Sequence, residues 1–358
     1  MSKLKLLKRK LQTAIKLIGC LPYQFYRSLC LINFRRKKVE LPYAVRIDAS
    51  TLCQLNCRGC YMRKGNYHNR GAGYLKFNDF ERFLEMNPFV KNIELSNNGE
   101  IFLNPDLLKI IQLSHSKGVK LTAANGANFN NVSDEMLEAL VKYEFQYVTI
   151  AIDGASQETY SWYRRNGNFD KVIDNIKKLN EYKKKYNSGF PSIAWQYIIF
   201  ESNQMESEIK KAKEMAKSLN CAAIVFAKDN NGFIPDDLEM IERETGLCYN
   251  DIFQRLSVTN WLFCLELWTA PQINWDGRLF GCCVNLWEDF GLNVFDLGLE
   301  ECLNSKIVRR TKRMLMGGIE CGKSPCKNCW IYRKIVQERS FVTEDEIKKR
   351  GSRKTAFH

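Results

Sequence analysis

Strand-like and helix-like stretches alternate along residues 44–227, and this alternation limits the possible folds more than any other feature of the chain. Six short apolar stretches predict strands. The first begins at Ala44, and the other five are Ile93–Leu95, Val119–Ala123, Tyr147–Ile152, Ile193–Phe200 and Ala223–Ala227. Stretches with helical spacing lie between them, namely Pro105–Lys117, Asp134–Tyr143, Phe169–Tyr186 and Glu206–Leu219. Such alternation favours parallel strands joined by helices, and therefore an α/β fold.

Basic residues are concentrated at the two ends of the 358-residue chain. Residues 1–40 hold eleven Lys or Arg and one acid, residues 333–358 hold eight and four, and residues 41–332 hold 35 of each. A neutral central region argues against the broad basic face with which proteins track nucleic acid, so we expect no nucleic-acid partner. The composition, 45% apolar and 26% charged, is that of a folded protein rather than a disordered one.

Residues 1–42 form an N-terminal segment in which apolar residues recur at helical spacing among basic ones. The apolar positions are Leu4, Leu7, Leu11, Ile15 and Ile18. This pattern is typical of a basic amphipathic helix on a membrane surface, and a helix packed on its own domain would show it too. Pro22 and Arg27 interrupt the apolar run that follows, so neither a spanning helix nor a secretory signal fits well. We expect a cytoplasmic protein, and peripheral membrane contact through residues 1–40 is one of the two open interpretations.

The chain contains fourteen cysteines but only three histidines. Without a secretory signal, clustered thiols more often bind metal than form disulfides, because the compartment is reducing. So few histidines disfavour histidine-rich metal sites and histidine-centred catalytic triads. Six cysteines lack ligand spacing and are expected to be small buried residues: Cys20, Cys30, Cys221, Cys248, Cys283 and Cys302. The other eight lie in two places.

The first cysteine group is a CxxxCxxC loop, Cys53-Gln-Leu-Asn-Cys57-Arg-Gly-Cys60, directly after the first predicted strand. Three thiolates on one short loop can bind three irons of a cubane cluster, and the fourth iron then has no protein ligand. An open coordination position makes a metal centre reactive rather than structural. A zinc site that takes a distant fourth ligand is the alternative.

The second group lies near the C-terminus and consists of Cys264, Cys282, Cys326 and Cys329, with Cys321 as the remaining cysteine of this region. Asp276-Gly277 between apolar stretches is a hairpin signal, and a hairpin there would bring the first two of these cysteines together. A helix-like stretch, Leu299–Met316, then returns the chain to the last two. We expect four thiolates to converge, with Cys283 and Cys321 as alternative ligands. A zinc site with four cysteine ligands is the alternative to an iron–sulfur cluster.

The cysteine loop and the residues at the strand ends together resemble the radical SAM superfamily. Asn98-Gly99-Glu100 looks like the family's Gly-Gly-Glu-Pro segment, and Asn125-Gly126 is similar to its Thr-Asn-Gly. Ala151-Ile152-Asp153-Gly154 is similar to its Ser-Ile-Asp-Gly, with Ala151 in place of the serine, and Tyr163–Phe169 resembles its Arg-x-Gly-Gly-x-Phe segment. The resemblance implies an open, partial (β/α)6 TIM-like barrel whose site lies at the carboxyl ends of the strands.

The resemblance also implies the cofactors and the residues that hold them. Cys53, Cys57 and Cys60 would bind a [4Fe-4S] cluster. Contacts with S-adenosylmethionine would come from Asn98, Gly99, Glu100, Asn125, Asp153 and Arg164, with Arg164 at the carboxylate of the cofactor.

The C-terminal cysteines resemble the SPASM/Twitch auxiliary domain that follows many radical SAM barrels. Gly277 and Cys282 fit the Gly-x4-Cys end of its opening motif, but Ile335 stands where the longer SPASM form has a further cysteine. The shorter Twitch form, with one auxiliary [4Fe-4S] cluster on Cys264, Cys282, Cys326 and Cys329, is therefore expected, which makes two clusters in all. The implied organisation is the N-terminal segment 1–42, a barrel 43–227, a linker 228–260, an auxiliary cluster domain 261–332 and a basic tail 333–358.

The implied activity is that of a radical SAM oxidoreductase. Such an enzyme cleaves S-adenosylmethionine reductively to a 5′-deoxyadenosyl radical, which takes a hydrogen atom from the substrate, and the auxiliary cluster takes up the remaining electron. The leading expectation is oxidation of an alcohol of a sugar-like small molecule, with a flavodoxin- or ferredoxin-type reducing donor. The alternatives are a maturase that modifies a ribosomal peptide or protein, and a non-catalytic metal-binding interaction protein. The segment before the barrel is short, which disfavours the maturase alternative, because such enzymes often carry a longer peptide-binding domain there. The sequence assigns no general base.

Overall fold

The computed structural model describes residues 41–63, 66–229, 231–249 and 264–351. The expected amphipathic helix of the N-terminal segment lies outside the described residues, as do Cys20 and Cys30. Within the described ranges, no helix combines the length and the apolar character needed to span a membrane.

Parallel strands form the centre of the fold. They are β1 (Ala44–Ile47), β2 (Asn92–Glu94), β3 (Lys120–Ala127), β4 (Tyr147–Ala151), β5 (Ser192–Ile199), β6 (Ala223–Lys228) and β7 (Gln272–Ile273). They form one sheet in the order β6-β5-β4-β3-β2-β1-β7, and every neighbouring pair is parallel. The predicted α/β class and open partial barrel are confirmed, and each of the six predicted strands is present.

The seventh strand is a difference from the six-stranded expectation. β7 is only two residues long, and it belongs to the stretch in which the sequence predicts a hairpin. The hairpin is present in minimal form, because Ile273 bridges Leu279 in antiparallel fashion around Gly277, whose φ is 87°. β7 also pairs with β1, so the region that carries the second cysteine group is hydrogen-bonded directly to the barrel.

Helices connect the strands and cover the sheet. They are α1 (Phe77–Met86), α2 (Leu107–Ser116), α3 (Asp134–Lys142), α4 (Gln157–Tyr163), α5 (Phe169–Lys185), α6 (Glu206–Ser218), α7 (Leu238–Thr245), α8 (Glu266–Thr269), α9 (Val294–Leu297), α10 (Leu299–Asn304), α11 (Lys306–Leu315), α12 (Trp330–Glu338) and α13 (Glu344–Gly351). The single helix expected over Leu299–Met316 is in fact two, α10 and α11. Ser305 separates them with an extended backbone (ψ 154°), and its hydroxyl accepts a hydrogen bond from the N–H of Val308, which caps α11.

The two faces of the sheet differ in polarity. Successive residues of a strand point to opposite faces. One face packs in the apolar core and includes Val45, Ile47, Ile93, Leu95, Leu121, Ala123, Val148 and Ile150. The intervening positions are polar on the adjacent strands, where Arg46 lies opposite Glu94 and Glu94 lies opposite Thr122. Barrels of this kind usually fill the interior with bulky branched side chains, so polar groups in these positions favour an interior that receives a polar ligand.

Candidate active site

The first cysteine loop rests on the segment that contains Arg164. The N–H of Asn56 donates to the carbonyl of Arg165 at 3.0 Å, and the N–H of Arg58 donates to the carbonyl of Tyr163 at 3.0 Å. Main-chain bonds on both sides of Cys57 therefore fix the loop against the end of α4.

The sulfur atoms of this loop receive hydrogen bonds from polar side chains. The guanidinium of Arg164 lies 3.8 Å from Sγ of Cys57, and the amide nitrogen of Asn128 lies 3.7 Å from Sγ of Cys53. Burial raises the pKa of Cys53 to about 12 and also raises the pKa of Cys57. Thiols with such a pKa are neutral at pH 7 until a metal replaces their protons, so metal binding would couple to proton release here.

Gly99 brings the loop after β2 into close contact with the chain that enters the cysteine loop. The N–H of Glu100 donates to the carbonyl of Leu52 at 2.8 Å. Gly99 has a φ of +64°, and a Cβ at this position would lie 2.5 Å from the carbonyl oxygen of Ser50. Only glycine satisfies both conditions without displacing the main chain.

Two buried acceptors on this segment fit a ligand that brings N–H donors. The carboxylate of Glu100 accepts from the N–H groups of Asn128 at 2.7 Å and Phe102 at 3.2 Å, and burial raises its pKa to about 7. The side-chain oxygen of Asn98 is buried and has no hydrogen-bond partner among the residues that the structure describes, while its amide nitrogen donates to Asp48 at 3.0 Å. The amino group expected from S-adenosylmethionine is a ligand of this chemistry.

The side chain of Asp153 is buried and accepts a hydrogen bond from Arg164. One carboxylate oxygen accepts from the N–H of Ile198 at 2.8 Å, and the other accepts from Nε of Arg164 at 2.7 Å. Because both oxygens are engaged, Asp153 orients the guanidinium beside Cys57, and a direct contact of Asp153 with the cofactor stays a prediction. Asn125 is exposed at the strand end, and its side chain bonds to that of Asn97 at 3.4 Å.

The four cysteines of the second group line one cavity. They are Cys264, Cys282, Cys326 and Cys329, and the other walls include Trp287, Leu315, Ile331 and Tyr332. The two alternative ligands are not part of this lining. Both lie close to it, however: Cys283 is near Arg46, Arg70 and the thiol of Cys282, and Cys321 is buried near enough to Cys326 to raise the pKa of that thiol.

These thiols are buried strongly enough to stay protonated without a metal. Burial raises the pKa of Cys326 to about 12 and that of Cys264 well above its usual value. Among the residues that the structure describes, no three His, Cys, Asp or Glu side chains are grouped as the ligands of a single metal ion would be. In a cubane cluster, each thiolate binds a different iron, so the ligands need to surround a cavity rather than meet at a point.

A buried ion pair connects the two cysteine groups. Arg70 and Asp48 both have fully buried side chains, and Nη1 of Arg70 lies 2.7 Å from the carboxylate. Nη2 of the same guanidinium donates to the carbonyl of Asn285 at 2.7 Å, in the loop that follows Cys282. Asp48 directly follows β1, so this pair joins the chain that enters the first cysteine loop to the wall of the second cysteine cavity. No sequence signal points to Arg70, because its partners are distant along the chain.

Comparison with known proteins identifies the domain. Residues 48–192 match the model of the Radical SAM superfamily, so this part of the chain is a radical SAM domain. The AdoMet-dependent heme synthase of Methanosarcina barkeri is 26% identical over 184 residues, which are 51% of this chain and 49% of that protein. The match therefore spans about half the length of this curated relative. A radical SAM domain implies S-adenosylmethionine and one [4Fe-4S] cluster as cofactors.

Two solved structures show the same fold over most of the chain. Streptococcus suis SuiB bound to S-adenosylmethionine has a TM-score of 0.60 and 14% identity, over 95% of this chain and 88% of that chain. Native anSMEcpe with bound AdoMet has a TM-score of 0.56 and 14% identity, over 82% and 87%. These similarities show that the sheet and its helices form the open partial barrel of radical SAM enzymes.

Proposed function

We propose that this protein is a radical SAM oxidoreductase with a second, auxiliary [4Fe-4S] cluster. The observation that carries the proposal is that Cys264, Cys282, Cys326 and Cys329, distant from one another along the chain, line a single cavity. Cysteines that converge in this way without forming disulfides are typical of a metal or cluster site.

In this proposal the loop of Cys53, Cys57 and Cys60 holds the cluster that binds S-adenosylmethionine. When bound, the cluster and cofactor supply a 5′-deoxyadenosyl radical that removes a hydrogen atom from the substrate. Glu100 accepts a hydrogen bond from the amino group of the cofactor, and Gly99 allows the main chain to approach it. Arg164, held by Asp153, places a positive charge beside Cys57 and offsets the negative charge of the ligated cluster.

The auxiliary site is proposed to act by accepting an electron. With four cysteine ligands a cubane has no open position, by the same reasoning that separates structural from catalytic zinc, so substrate would not bind to it. When bound, it supplies a one-electron acceptor for the substrate radical, and the net reaction is a two-electron oxidation. The chain contributes the enclosing walls, including Trp287 and Tyr332, which keep water from the cluster.

The polar interior of the barrel supports a small hydroxylated substrate. Arg46, Glu94 and Thr122 occupy neighbouring register positions on β1, β2 and β3, and Arg46 forms an ion pair with Glu266 just after Cys264. Glu94 and Thr122 are buried and hydrogen-bond to each other, so they make the barrel interior polar, as a sugar-like substrate would require, without themselves being free to bind it. We therefore infer that an alcohol of such a molecule is oxidised.

Peptide modification is the second candidate. The fold similarity to SuiB includes the structure of SuiB bound to its precursor peptide SuiA, with a TM-score of 0.59 over 90% of this chain. In addition, β6 lies at the edge of the sheet with Val225 exposed, and a sheet edge can pair with an extended peptide.

Substitutions of single cysteines test the two cluster roles in anaerobically prepared protein. Cys53→Ala should abolish cleavage of S-adenosylmethionine, measured as 5′-deoxyadenosine. Cys326→Ala should leave cleavage detectable but stop product formation. The control is Cys221→Ala, which removes a half-buried thiol that lines no cysteine cavity, and it should behave as wild type. Unchanged turnover of Cys326→Ala would contradict the electron-acceptor role.

Transfer of deuterium separates the substrate classes. Incubation with deuterated sugars or cyclitols should place label in 5′-deoxyadenosine if the first proposal is correct. Label from a deuterated peptide alone would favour the second candidate. Zinc without iron, together with no cleavage of S-adenosylmethionine, would favour the non-catalytic alternative and contradict both.

A further inference from the structure

A basic stretch of chain forms one wall of the cavity of the second cysteine group. Residues 305–339 hold ten Lys or Arg and two acids, a net charge of +8. Residues 41–304, which include most of the barrel, hold 28 basic and 34 acidic residues and are therefore negative overall. Residues 305–332 alone hold seven Lys or Arg and one acid (+6), which cancels the charge of −6 on residues 41–304 and makes residues 41–332 neutral.

Several of these cations are exposed directly beside the cavity. Lys323 and Lys327 flank Cys326 in the chain, and Arg333 follows Cys329 by four residues. All three side chains are exposed. Among the described residues, Lys327 has an acidic partner, because its Nζ lies 3.2 Å from the carboxylate of Glu320. Positive charge therefore accumulates on the outer side of the cysteine cavity.

Helix α12 presents two different faces at this point. Ile331 and Tyr332 line the cavity, whereas Trp330, Arg333 and Val336 are exposed at spacings of three residues, which places them on one side of the helix. Trp330 is 40% exposed although it directly follows Cys329. We call the surface formed by Lys323, Lys327, Trp330, Arg333 and Val336 the auxiliary face. Its members on α12 share that helix with Ile331 and Tyr332 of the cavity lining, and Lys327 adjoins Cys326 in the chain.

We propose that the auxiliary face docks an acidic one-electron carrier protein of the flavodoxin or ferredoxin type. The inference rests on the proposed auxiliary cluster, because the carrier would exchange an electron with it. Each substrate oxidation leaves one electron at this site, and the oxidised carrier accepts that electron, so that the site loses one electron and the carrier gains one. No bond forms or breaks in this step.

The chemistry of the face matches such a carrier. Opposite charges steer two proteins together and set the orientation of the encounter. An exposed aromatic residue at the centre of a polar rim is typical of protein interfaces, and transient electron-transfer encounters need only a small contact area. Electron transfer requires close approach to the redox group, and this face lies over the cysteine cavity.

Other occupants fit less well. Residues 1–40 of this chain carry a net charge of +10, so the chain's own N-terminal segment would be repelled. A second copy would bring two positive faces together. Anionic lipid or nucleic acid would match the charge but would have no function at a redox site.

Reversal of charge on the auxiliary face tests the docking. The test variant is Lys323→Glu/Lys327→Glu/Arg333→Glu in the cluster-loaded holoprotein. The matched control is Lys184→Glu/Lys211→Glu/Lys217→Glu, which changes three exposed lysines on the outer helices α5 and α6 by the same total charge. The probes are purified bacterial flavodoxin and plant-type ferredoxin, titrated anaerobically at low and high salt, with electron exchange followed by stopped-flow absorbance.

We expect carrier binding by the wild type to weaken with salt, and the test variant to lose at least about tenfold in affinity and in exchange rate. The control should stay within about twofold of wild type, and equal iron content and circular dichroism would show that both variants fold. Equal carrier binding by the test variant and wild type would overturn the proposal, as would wild-type binding to neither carrier. The proposal would also be overturned if the three substitutions weakened binding to phosphatidylserine vesicles or duplex DNA and left binding to both carriers unchanged.

Iron content distinguishes failure of this inference from failure of the proposed function. If the second cluster is absent, the wild type will contain about four iron atoms per chain, whether or not it binds the carrier. If iron is about eight and the test variant binds as wild type does, only the docking inference is wrong.

Discussion

Glu100 is a buried carboxylate whose ionisation should control cofactor binding. Burial raises its pKa to about 7, so the group is largely protonated at pH 6 and ionised at pH 8. The ionised form is the better acceptor for the amino group of S-adenosylmethionine, and affinity should therefore rise as pH increases through 7. We expect a loss of up to about tenfold per pH unit below 7, measured by equilibrium dialysis of the cluster-loaded protein.

Glu100→Gln is the matched control for this pH dependence. The variant should bind more weakly at pH 8 and show a nearly flat profile between pH 6 and 8, because its side chain does not titrate. A wild-type profile as flat as that of the variant would contradict the assignment of Glu100 to the cofactor.

Lys312 is a buried cation with an unusual environment. Its side chain is fully buried, Nζ has no hydrogen-bond partner among the described residues, and it lies 5.3 Å from the ring centroid of Trp268. Burial lowers its pKa from 10.5 to about 7. Because the unfolded chain holds this proton up to about pH 10, the buried lysine destabilises the fold below that pH, and most strongly below pH 7.

Lys312→Met should therefore stabilise the protein at low pH. The expected gain in unfolding free energy is on the order of 3 kcal/mol at pH 6.5 and fades toward pH 10. Thermal unfolding of both proteins across this range measures the difference, with the exposed Lys184→Met as control. A gain that does not change with pH would contradict the account of Lys312.

Single residues differed in how far the sequence could predict them. Cys53, Cys57 and Cys60 could be proposed as cluster ligands because their spacing on one loop is itself the signal. The convergence of the C-terminal cysteines could be expected from spacing and a turn motif, but spacing could not show that Cys283 and Cys321 lie beside the cavity without lining it. Arg70 and Lys312 could not be predicted, because their burial depends on contacts between distant segments.

At the scale of elements, the loops after β1 and β2 touch through Gly99. Gly99→Ala would place a Cβ 2.5 Å from a carbonyl oxygen and keep a φ of +64°. We expect the loop to shift and affinity for S-adenosylmethionine to fall by about tenfold or more, as measured by dialysis. Gly118→Ala is the control, because Gly118 has nearly the same φ (+65°) but no heavy atom within 4 Å of the added Cβ.

The control should cost about 1 kcal/mol of stability and leave cofactor affinity unchanged. If Gly99→Ala bound the cofactor as Gly118→Ala does, the close approach of the two loops would have no role in the site.

The ion pair of Arg70 and Asp48 joins β1 to the loop that follows Cys282. Arg70→Met would leave the carboxylate of Asp48 buried without its cation, which should cost about 3–5 kcal/mol in denaturant unfolding. The double variant Arg70→Met/Asp48→Asn should recover part of this loss. Arg82→Met, which breaks a pair with an arginine side chain that is 51% exposed, should cost no more than about 1 kcal/mol. Equal losses for Arg70→Met and Arg82→Met would contradict the role of the junction.

Elements with a local sequence pattern were predicted well, and elements that depend on tertiary pairing were not. The four main helices are long enough to show a repeating apolar pattern, and the six predicted strands show as short apolar stretches between them. β7 has two residues and depends on pairing with β1, so no local pattern reveals it. The break between α10 and α11 depends on the backbone of Ser305, and a serine at this position is also compatible with a continuous helix.

At the scale of the whole molecule, the interpretation of the net charge depends on which range of residues is summed. The net charge of +14 is concentrated at the ends of the chain, and the central residues 41–332 are neutral. This neutrality combines the negative residues 41–304 with the positive residues 305–332, which carry Lys323 and Lys327 of the auxiliary face. Charge summed between the expected domain boundaries hides the face, because Lys323 and Lys327 precede the boundary at residue 332 and Arg333 follows it.

The central claim is that one chain holds two iron–sulfur clusters, one on each cysteine group. Iron and zinc measured by inductively coupled plasma spectrometry on anaerobically purified protein, wild type against Cys326→Ala/Cys329→Ala, test it most directly. We predict about eight irons per chain for the wild type and about four for the double variant, with cleavage of S-adenosylmethionine retained. Equal iron content in the two proteins, or zinc in place of iron at the second group, would contradict the account.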